Sequence, residues 1–176
     1  MADAPTDASA RIAAWAESRA DIAALVQIGS RVQDGGARAD RWSDYDYQLI
    51  TRTPGAYADP AALAGLGEIW ISSLQPVFGG VSKLTLILAG GTEADFVILP
   101  HGPIRIAFGA LRFPGLAGLW PPPLRAGVRD LKIVAAPGWR VIKGGPAWER
   151  RYARLGSAAP WPPLVAAGFA ALWAAY

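Results

Sequence analysis

Two β-prone runs joined by a pair of glycines constrain the fold more than any other part of the sequence. Residues 81–89 alternate leucines with polar residues, and residues 93–99 form a second run rich in apolar and branched side chains. Between the two runs stands Gly90-Gly91. Alternation with a period of two is typical of a strand, and a short glycine turn between two such runs favours a β-hairpin. We therefore predict two paired strands, with Asp95 on a strand and not on a loop.

The stretch 42–51 begins polar, ends in β-prone residues and carries Asp44 and Asp46. Side chains two residues apart on a strand leave the same face, with Cα atoms roughly 6.5–7 Å apart. Carboxylates side by side repel, and a bound divalent cation such as Mg²⁺ removes that repulsion. The pair therefore predicts a metal site, for which Asp95 is the candidate third ligand. The alternatives are a turn or cap role for the pair and a solvent-facing position for Asp95.

Upstream, the apolar run 23–28 is short enough for a buried strand and stops at Gly29-Ser30. A glycine lets the backbone approach a ligand closely, and a serine hydroxyl beside free amides can hold a phosphate oxygen. Arg31 follows directly and would neutralise phosphate charge, unless it is an ordinary surface arginine. The order of a strand, Gly-Ser, a loop and a strand with two carboxylates predicts a triphosphate site at one end of a sheet.

Three segments together resemble the nucleotidyltransferase domain of the aminoglycoside 6-adenylyltransferases (streptomycin adenylyltransferase-like proteins), within the wider DNA polymerase β-like superfamily. They are Gly29-Ser30-Arg31, the block Asp40-Arg41-Trp42-Ser43-Asp44-Tyr45-Asp46, and the strand Ala94-Asp95-Phe96-Val97-Ile98-Leu99-Pro100. The similarity runs from about residue 10 to about residue 145. The Gly-Ser and Asp-x-Asp elements mark the superfamily, and the longer blocks narrow the resemblance to this branch.

The resemblance implies an α+β (α/β) nucleotidyltransferase fold, a mixed β-sheet flanked by helices, with a short C-terminal helix. Residues 1–145 would form the nucleotidyltransferase domain. Residues 146–176 would be a linker and the start of a truncated C-terminal helical region. The apolar segment 163–176 reads as a helix that needs cover, so we expect it to dock on the domain, on a second copy or on a partner.

The activity implied by the resemblance is transfer of AMP from ATP to a hydroxyl of a small acceptor, such as streptomycin or another aminoglycoside, with release of pyrophosphate. Two Mg²⁺ ions would be held by Asp44, Asp46 and Asp95, with Asp95 next to the acceptor. The nucleotide would contact Gly29, Ser30, Arg31, Asp44 and Asp46. The alternative is a catalytically impaired nucleotide-binding or interaction module, or an antitoxin-type nucleotidyltransferase that modifies a partner protein.

The composition limits which other classes of protein the chain could belong to. The absence of cysteine excludes a disulfide framework, and the start of the chain lacks the basic and apolar pattern of a signal peptide, so we expect a cytoplasmic protein. No apolar run reaches the ~20 residues of a membrane span, so no membrane partner is expected. The net charge of +3 is mild. The arginines of the last third favour a solvated face over an RNA-facing one, and we expect no nucleic-acid partner. His101 reads as a hydrogen-bonded loop residue and not as a base.

The other segments give weaker predictions. Residues 9–19 read as an amphipathic helix covering the sheet, and residues 60–70 as a short helix that begins at a proline. Residues 131–135 and 140–142 suggest a second small hairpin. Residues 144–160, which are polar, rich in arginine and interrupted by Gly and Pro, read as a linker.

Overall fold

The computed structural model describes residues 8–32, 43–77 and 81–157, and every structural statement below concerns these residues. The helices are α1 (Ala8–Ser18), α2 (His101–Ala110), α3 (Pro122–Ala135) and α4 (Gly145–Ser157). The strands are β1 (Ile22–Ile28), β2 (Tyr45–Thr51), β3 (Ile69–Pro76), β4 (Ser82–Leu88), β5 (Thr92–Pro100) and β6 (Trp139–Lys143). Short 3₁₀ turns cover Ser30–Val32, Pro54–Ala58, Pro60–Leu63 and Pro114–Leu119.

The six strands form one mixed sheet in the order β3-β4-β5-β2-β1-β6. The central pair β2–β5 is parallel, and the other neighbouring pairs are antiparallel. The predicted class, an α+β fold with a mixed sheet flanked by helices, is confirmed. Because β2 and β5 are parallel, their amino-terminal ends lie at the same edge of the sheet.

Each face of the sheet is covered by a separate apolar layer. On one face α1 and the turns between β2 and β3 pack against the strands, with Trp15, Tyr57 and Leu66 almost fully buried. On the other face α2, α3 and α4 cover the strands. This second layer contains Ile104, Phe108, Val128, Leu131, Trp148, Tyr152 and Leu155. Burial on both faces therefore determines the register of the strands, since a slip by one residue would exchange the two faces.

Three predicted elements are confirmed within about a residue at each end, and one of them is the buried strand 23–28, observed as β1. The predicted helix 9–19 is α1, which buries Ile12, Trp15 and Ala16 against the sheet. The predicted hairpin is β4–β5, joined through Gly90-Gly91 with Leu84, Leu86 and Leu88 directed into the α1 layer.

Three predicted elements are wrong. Residues 60–70 contain only the 3₁₀ turn Pro60–Leu63 and then enter β3, because Gly65 and Gly67 adopt positive φ and end the helical path. The proposed second hairpin fails because residues 131–135 are the last turn of α3, so only β6 is a strand.

The predicted linker is the third error. Residues 145–157 form α4, whose Trp148, Tyr152 and Leu155 are buried at helical spacing. The predicted C-terminal helix in 163–176 lies outside the described residues, and the division at residue 145 stays a prediction. Among the described helices, none combines the length and the apolar character needed to cross a membrane.

Candidate functional site

The acidic rim is the edge of the sheet where β2 and β5 begin, and it consists of Asp44, Asp46, Glu93 and Asp95. The parallel register sets Asp46 directly beside Asp95. The antiparallel strand β1 ends at the same edge, with Ile28 opposite Asp46. Three strands that are far apart in the sequence thus bring the Gly29 turn and the carboxylates together.

Three of these carboxylates lie close enough to share one cation. Ligand atoms of Asp44, Glu93 and Asp95 are all within 4.8 Å of one another. Asp44 is exposed, Glu93 is partly exposed and Asp95 is only 6% exposed, so the cluster is open to solvent on one side. Carboxylate oxygens of this kind suit Mg²⁺, which usually keeps several waters and takes one or two protein carboxylates plus phosphate oxygens.

Asp46 stands beside this trio. Its partial burial raises the pKa of its carboxyl group, and the negative charges of Asp95 and Asp44 raise it further. Lys83 opposes the shift. Because a nearby cation favours the ionised form of a carboxyl group, a divalent ion at the rim would relieve this repulsion.

Glu93 is the member of the acidic rim that sequence reasoning missed. The pKa of its carboxyl group is raised by loss of hydration and then by the charges of Asp44 and Asp95. The signal was present in the sequence, because Glu93-Ala94-Asp95 repeats the two-residue spacing of Asp44-Tyr45-Asp46 on a neighbouring strand. The same-face reasoning used for the first pair would have found the second.

Asp95 is held by two side chains of β4. Thr85 lies opposite it in the antiparallel register, and its hydroxyl donates to Asp95 Oδ1 at 2.5 Å. The ammonium group of Lys83 lies 2.6 Å from Asp95 Oδ2. The hydrogen bond to Asp95 raises the pKa of Lys83, and the negative charges of Asp95, Asp46 and Glu93 act in the same direction. Both oxygens of this carboxylate therefore have fixed donors.

Gly29 forms the floor of the site. It has φ +81°, a conformation that suits glycine, and a Cβ atom at this position would lie 2.5 Å from Asp46 Oδ2. The turn thus needs glycine for two reasons, its backbone conformation and the space taken by the aspartate. The predicted approach of this backbone to a ligand stays a prediction.

Ser30 and Arg31 follow in a 3₁₀ turn, which is partly exposed. The guanidinium of Arg31 donates from Nε to the carbonyl of Ser43 at 2.9 Å and stacks over the ring of Tyr45 at 3.9 Å. Arg31 therefore ties the Gly29 turn to the start of β2 and fixes the backbone next to Asp44. Contact of either residue with phosphate stays a prediction.

His101 lies away from the acidic rim. It is the first residue of α2, six residues beyond Asp95 along β5, which is about 20 Å at ~3.3 Å per strand residue. Burial lowers the pKa of His101, and the positive charges of Arg52, Arg105 and Arg151 lower it further. It is a helix residue and not the loop residue predicted, and it faces cations at the opposite end of the sheet.

The donor set fits a hard divalent cation. All rim ligands are carboxylate oxygens, and the ammonium of Lys83 already serves as a positive charge against Asp95. No thiolate is available in the chain, so zinc or a soft metal is a poor match.

Comparison with known proteins gives one solved structure to report. No protein-family model matches the chain, and no curated protein matches it. The chain is similar to the crystal structure of an aminoglycoside 6-adenyltransferase from Bacillus subtilis, with a TM-score of 0.43 and 13% sequence identity. The match covers 58% of this chain and 38% of that one, so the chain spans well under half of that protein's length.

Proposed function

We propose that the protein is a metal-dependent nucleotidyltransferase that moves AMP from ATP to a hydroxyl group of a small molecule. The observation that supports this most strongly is the register of the parallel strands, in which Asp46 stands beside Asp95 while the Gly29 turn meets Asp46. A metal-bound triphosphate needs these parts together, namely carboxylates for the cation and a small-residue turn for the phosphates.

In the proposed reaction, a hydroxyl oxygen of the acceptor forms a bond to the α-phosphorus of ATP. The bond from that phosphorus to the bridging oxygen breaks, and pyrophosphate leaves with the electron pair. Asp44, Asp46, Glu93 and Asp95 would hold the cation, which supplies charge neutralisation for the phosphates and the leaving group. The protein residues mainly position the reactants.

The hydroxyl proton needs an acceptor, and Glu93 is better suited than Asp95. Both oxygens of Asp95 already accept hydrogen bonds or an ion pair from Thr85 and Lys83. Glu93 is partly exposed at the acidic rim, so its carboxylate is open to a hydroxyl group that approaches from solvent. Asp95 would then orient the site, and Glu93 would take the proton.

The phosphates would lie on the turn after β1. The hydroxyl of Ser30 and the amides of the turn would bind phosphate oxygens, and Arg31 would add positive charge from its position against Ser43 and Tyr45. A cationic acceptor such as an aminoglycoside would find the exposed carboxylate of Asp44 at the same edge. Antibiotic modification is therefore the acceptor class that we propose to test first.

The test is pyrophosphate release from ATP and Mg²⁺ with a panel of hydroxylated acceptors that includes streptomycin. We expect turnover by the wild type and loss of turnover in Asp46→Asn, because the amide cannot neutralise the cation. His101→Asn is the matched control, since His101 lies at the opposite end of the sheet, and it should retain activity. An active Asp46→Asn variant would contradict the assignment of Asp46 to the active site. Calorimetric binding of ATP and Mg²⁺ without turnover on any acceptor would favour a nucleotide-binding module instead.

A further inference from the structure

One cationic side chain projects into the acidic rim. Lys83 stands on β4 two residues before Thr85, and both therefore lie on the sheet face that carries Asp95. Its ammonium is 2.6 Å from Asp95 Oδ2, while the hydroxyl of Thr85 donates a hydrogen bond to Oδ1. The lysine thus contacts the site directly, while 40% of its side chain remains exposed.

We propose that the ammonium of Lys83 takes the place of a second divalent ion, so that the site binds one Mg²⁺ per chain. This inference rests on the proposed function, because it concerns the cation of that reaction. The single ion would be held by the carboxylates of the acidic rim together with phosphate oxygens. Lys83 would supply the positive charge on the Asp95 side.

Charge and access both favour this arrangement. The side chain of Asp95 is only 8% exposed, and its two oxygens face donors on β4. A second divalent ion bound to the same carboxylate would stand within a few ångströms of the ammonium, where the positive charges repel strongly. Lys83 lies on β4, directly beside β5, and its ammonium contacts Asp95. The carboxylates of Asp44 and Glu93 are more open to solvent and can exchange water for metal.

The ammonium also differs from a metal in what it can do. It neutralises charge and donates hydrogen bonds, but it does not coordinate a hydroxyl oxygen as a Lewis acid. With a single ion, removal of the hydroxyl proton would depend on Glu93 more than it does in a site with two ions. Lys83 is therefore a positioning and charge-balancing residue on the acceptor side of the rim.

The experiment counts bound ions. The full chain is saturated with Mn²⁺ in the presence of α,β-methylene ATP, which cannot release pyrophosphate, and bound Mn²⁺ per chain is measured by equilibrium dialysis with electron paramagnetic resonance. We expect one ion in the wild type and two in Lys83→Met, which removes the charge and keeps much of the side-chain volume. Lys83→Gln provides a second neutral variant if the methionine variant does not fold.

Two controls separate charge from other effects. Thr85→Val removes the hydroxyl donor to Asp95 without changing any charge, and it should still bind one ion. Lys132→Met removes a lysine of α3 and should also bind one. Two ions in the wild type, or one ion in both folded Lys83 variants, would overturn the inference while the proposed transferase stands. No ion in the wild type or in the Lys83 variants would overturn both.

Discussion

Replacement of Gly29 by alanine tests the geometry of the acidic rim most directly. Gly29 has φ +81°, in the left-handed region that a residue with a Cβ atom occupies at a cost of roughly 1–2 kcal/mol. For a chain of this size, ~1 kcal/mol lowers the midpoint of thermal unfolding by about 2–4 °C. We therefore expect Gly29→Ala to fold and to melt a few degrees below the wild type.

The same substitution has a second effect at Asp46. The new Cβ would lie 2.5 Å from Oδ2, 3.3 Å from Cγ and 3.4 Å from Cβ of that residue. The contact with Oδ2 is too short to persist and the contact with Cγ is tight, so the carboxylate group must shift, whereas 3.4 Å to Cβ is an ordinary contact. Because Asp46 is a proposed ligand, we expect Mg²⁺ affinity with nucleotide present to fall at least tenfold, which corresponds to about 1.4 kcal/mol.

Gly90→Ala is the matched control. Gly90 has φ +91°, and among the described residues no atom lies within 4 Å of a Cβ built there. It therefore carries the same backbone cost without a clash at the rim. Calorimetric titration with Mg²⁺ and thermal unfolding should show both variants destabilised alike and only Gly29→Ala impaired in ion binding. Equal, undiminished affinity in the two variants would refute the assignment of Asp46 to the cation.

Three further perturbations have distinct readouts. Asp46→Asn should raise the free energy of unfolding at neutral pH without metal. The pKa of Asp46 is raised in the folded protein, so its ionisation costs stability as pH rises above the ordinary value of 3.8. Urea unfolding should therefore show the gain at neutral pH and no gain below pH 3.8. Arg31→Lys keeps the charge but loses the fork on Ser43, so calorimetry without nucleotide should show ion binding weakened severalfold. Tyr152→Phe leaves the buried Gln48 acceptor unpaired and should cost about 1–3 kcal/mol in urea unfolding. Unchanged values in these assays would contradict the contacts invoked.

Local patterns predicted the elements whose apolar residues alternate or recur clearly. The hairpin β4–β5 could be predicted because Leu84, Leu86 and Leu88 lie on one face, Lys83 and Thr85 lie on the other, and a glycine pair follows. The helix α1 could be predicted from Ile12 and Trp15. In both cases a single buried face determines the pattern, so the sequence carries the whole signal.

The linker prediction failed because it gave the composition of the segment more weight than the periodicity of its apolar residues. Gly144, Gly145 and Pro146 suggested a linker, but the four-residue and three-residue steps from Trp148 to Tyr152 and Leu155 are those of a helix with one buried face. Glycine at the start of a helix and proline in its first turn are compatible with helix formation. Polar composition there reflects the exposed side of α4 and not a disordered segment.

The sequence patterns missed the edge strand β3 for a different reason. Most of its residues are exposed on both faces, and Trp70 and Ile71 remain 59% and 55% exposed. A strand that buries neither face has no alternation to detect. Its position follows from backbone pairing with β4, which is a long-range property that local propensity does not contain.

The acidic rim depends on the same kind of long-range pairing. Asp44 directly precedes β2 and Asp46 lies within it, and their spacing predicts that both side chains leave one face, but it does not determine which strand lies next to them. A parallel neighbour in a register shifted by one residue would set Ala94 or Phe96 beside Asp46, and the carboxylate of Asp95 would no longer be its direct neighbour. That register is fixed because Phe96 and Ile98 must enter the apolar layer under α1 beside Tyr47 and Leu49. Burial of these apolar side chains, which are not part of the chemistry, therefore brings the carboxylates together, and the cost of their repulsion is met by the stability of the core.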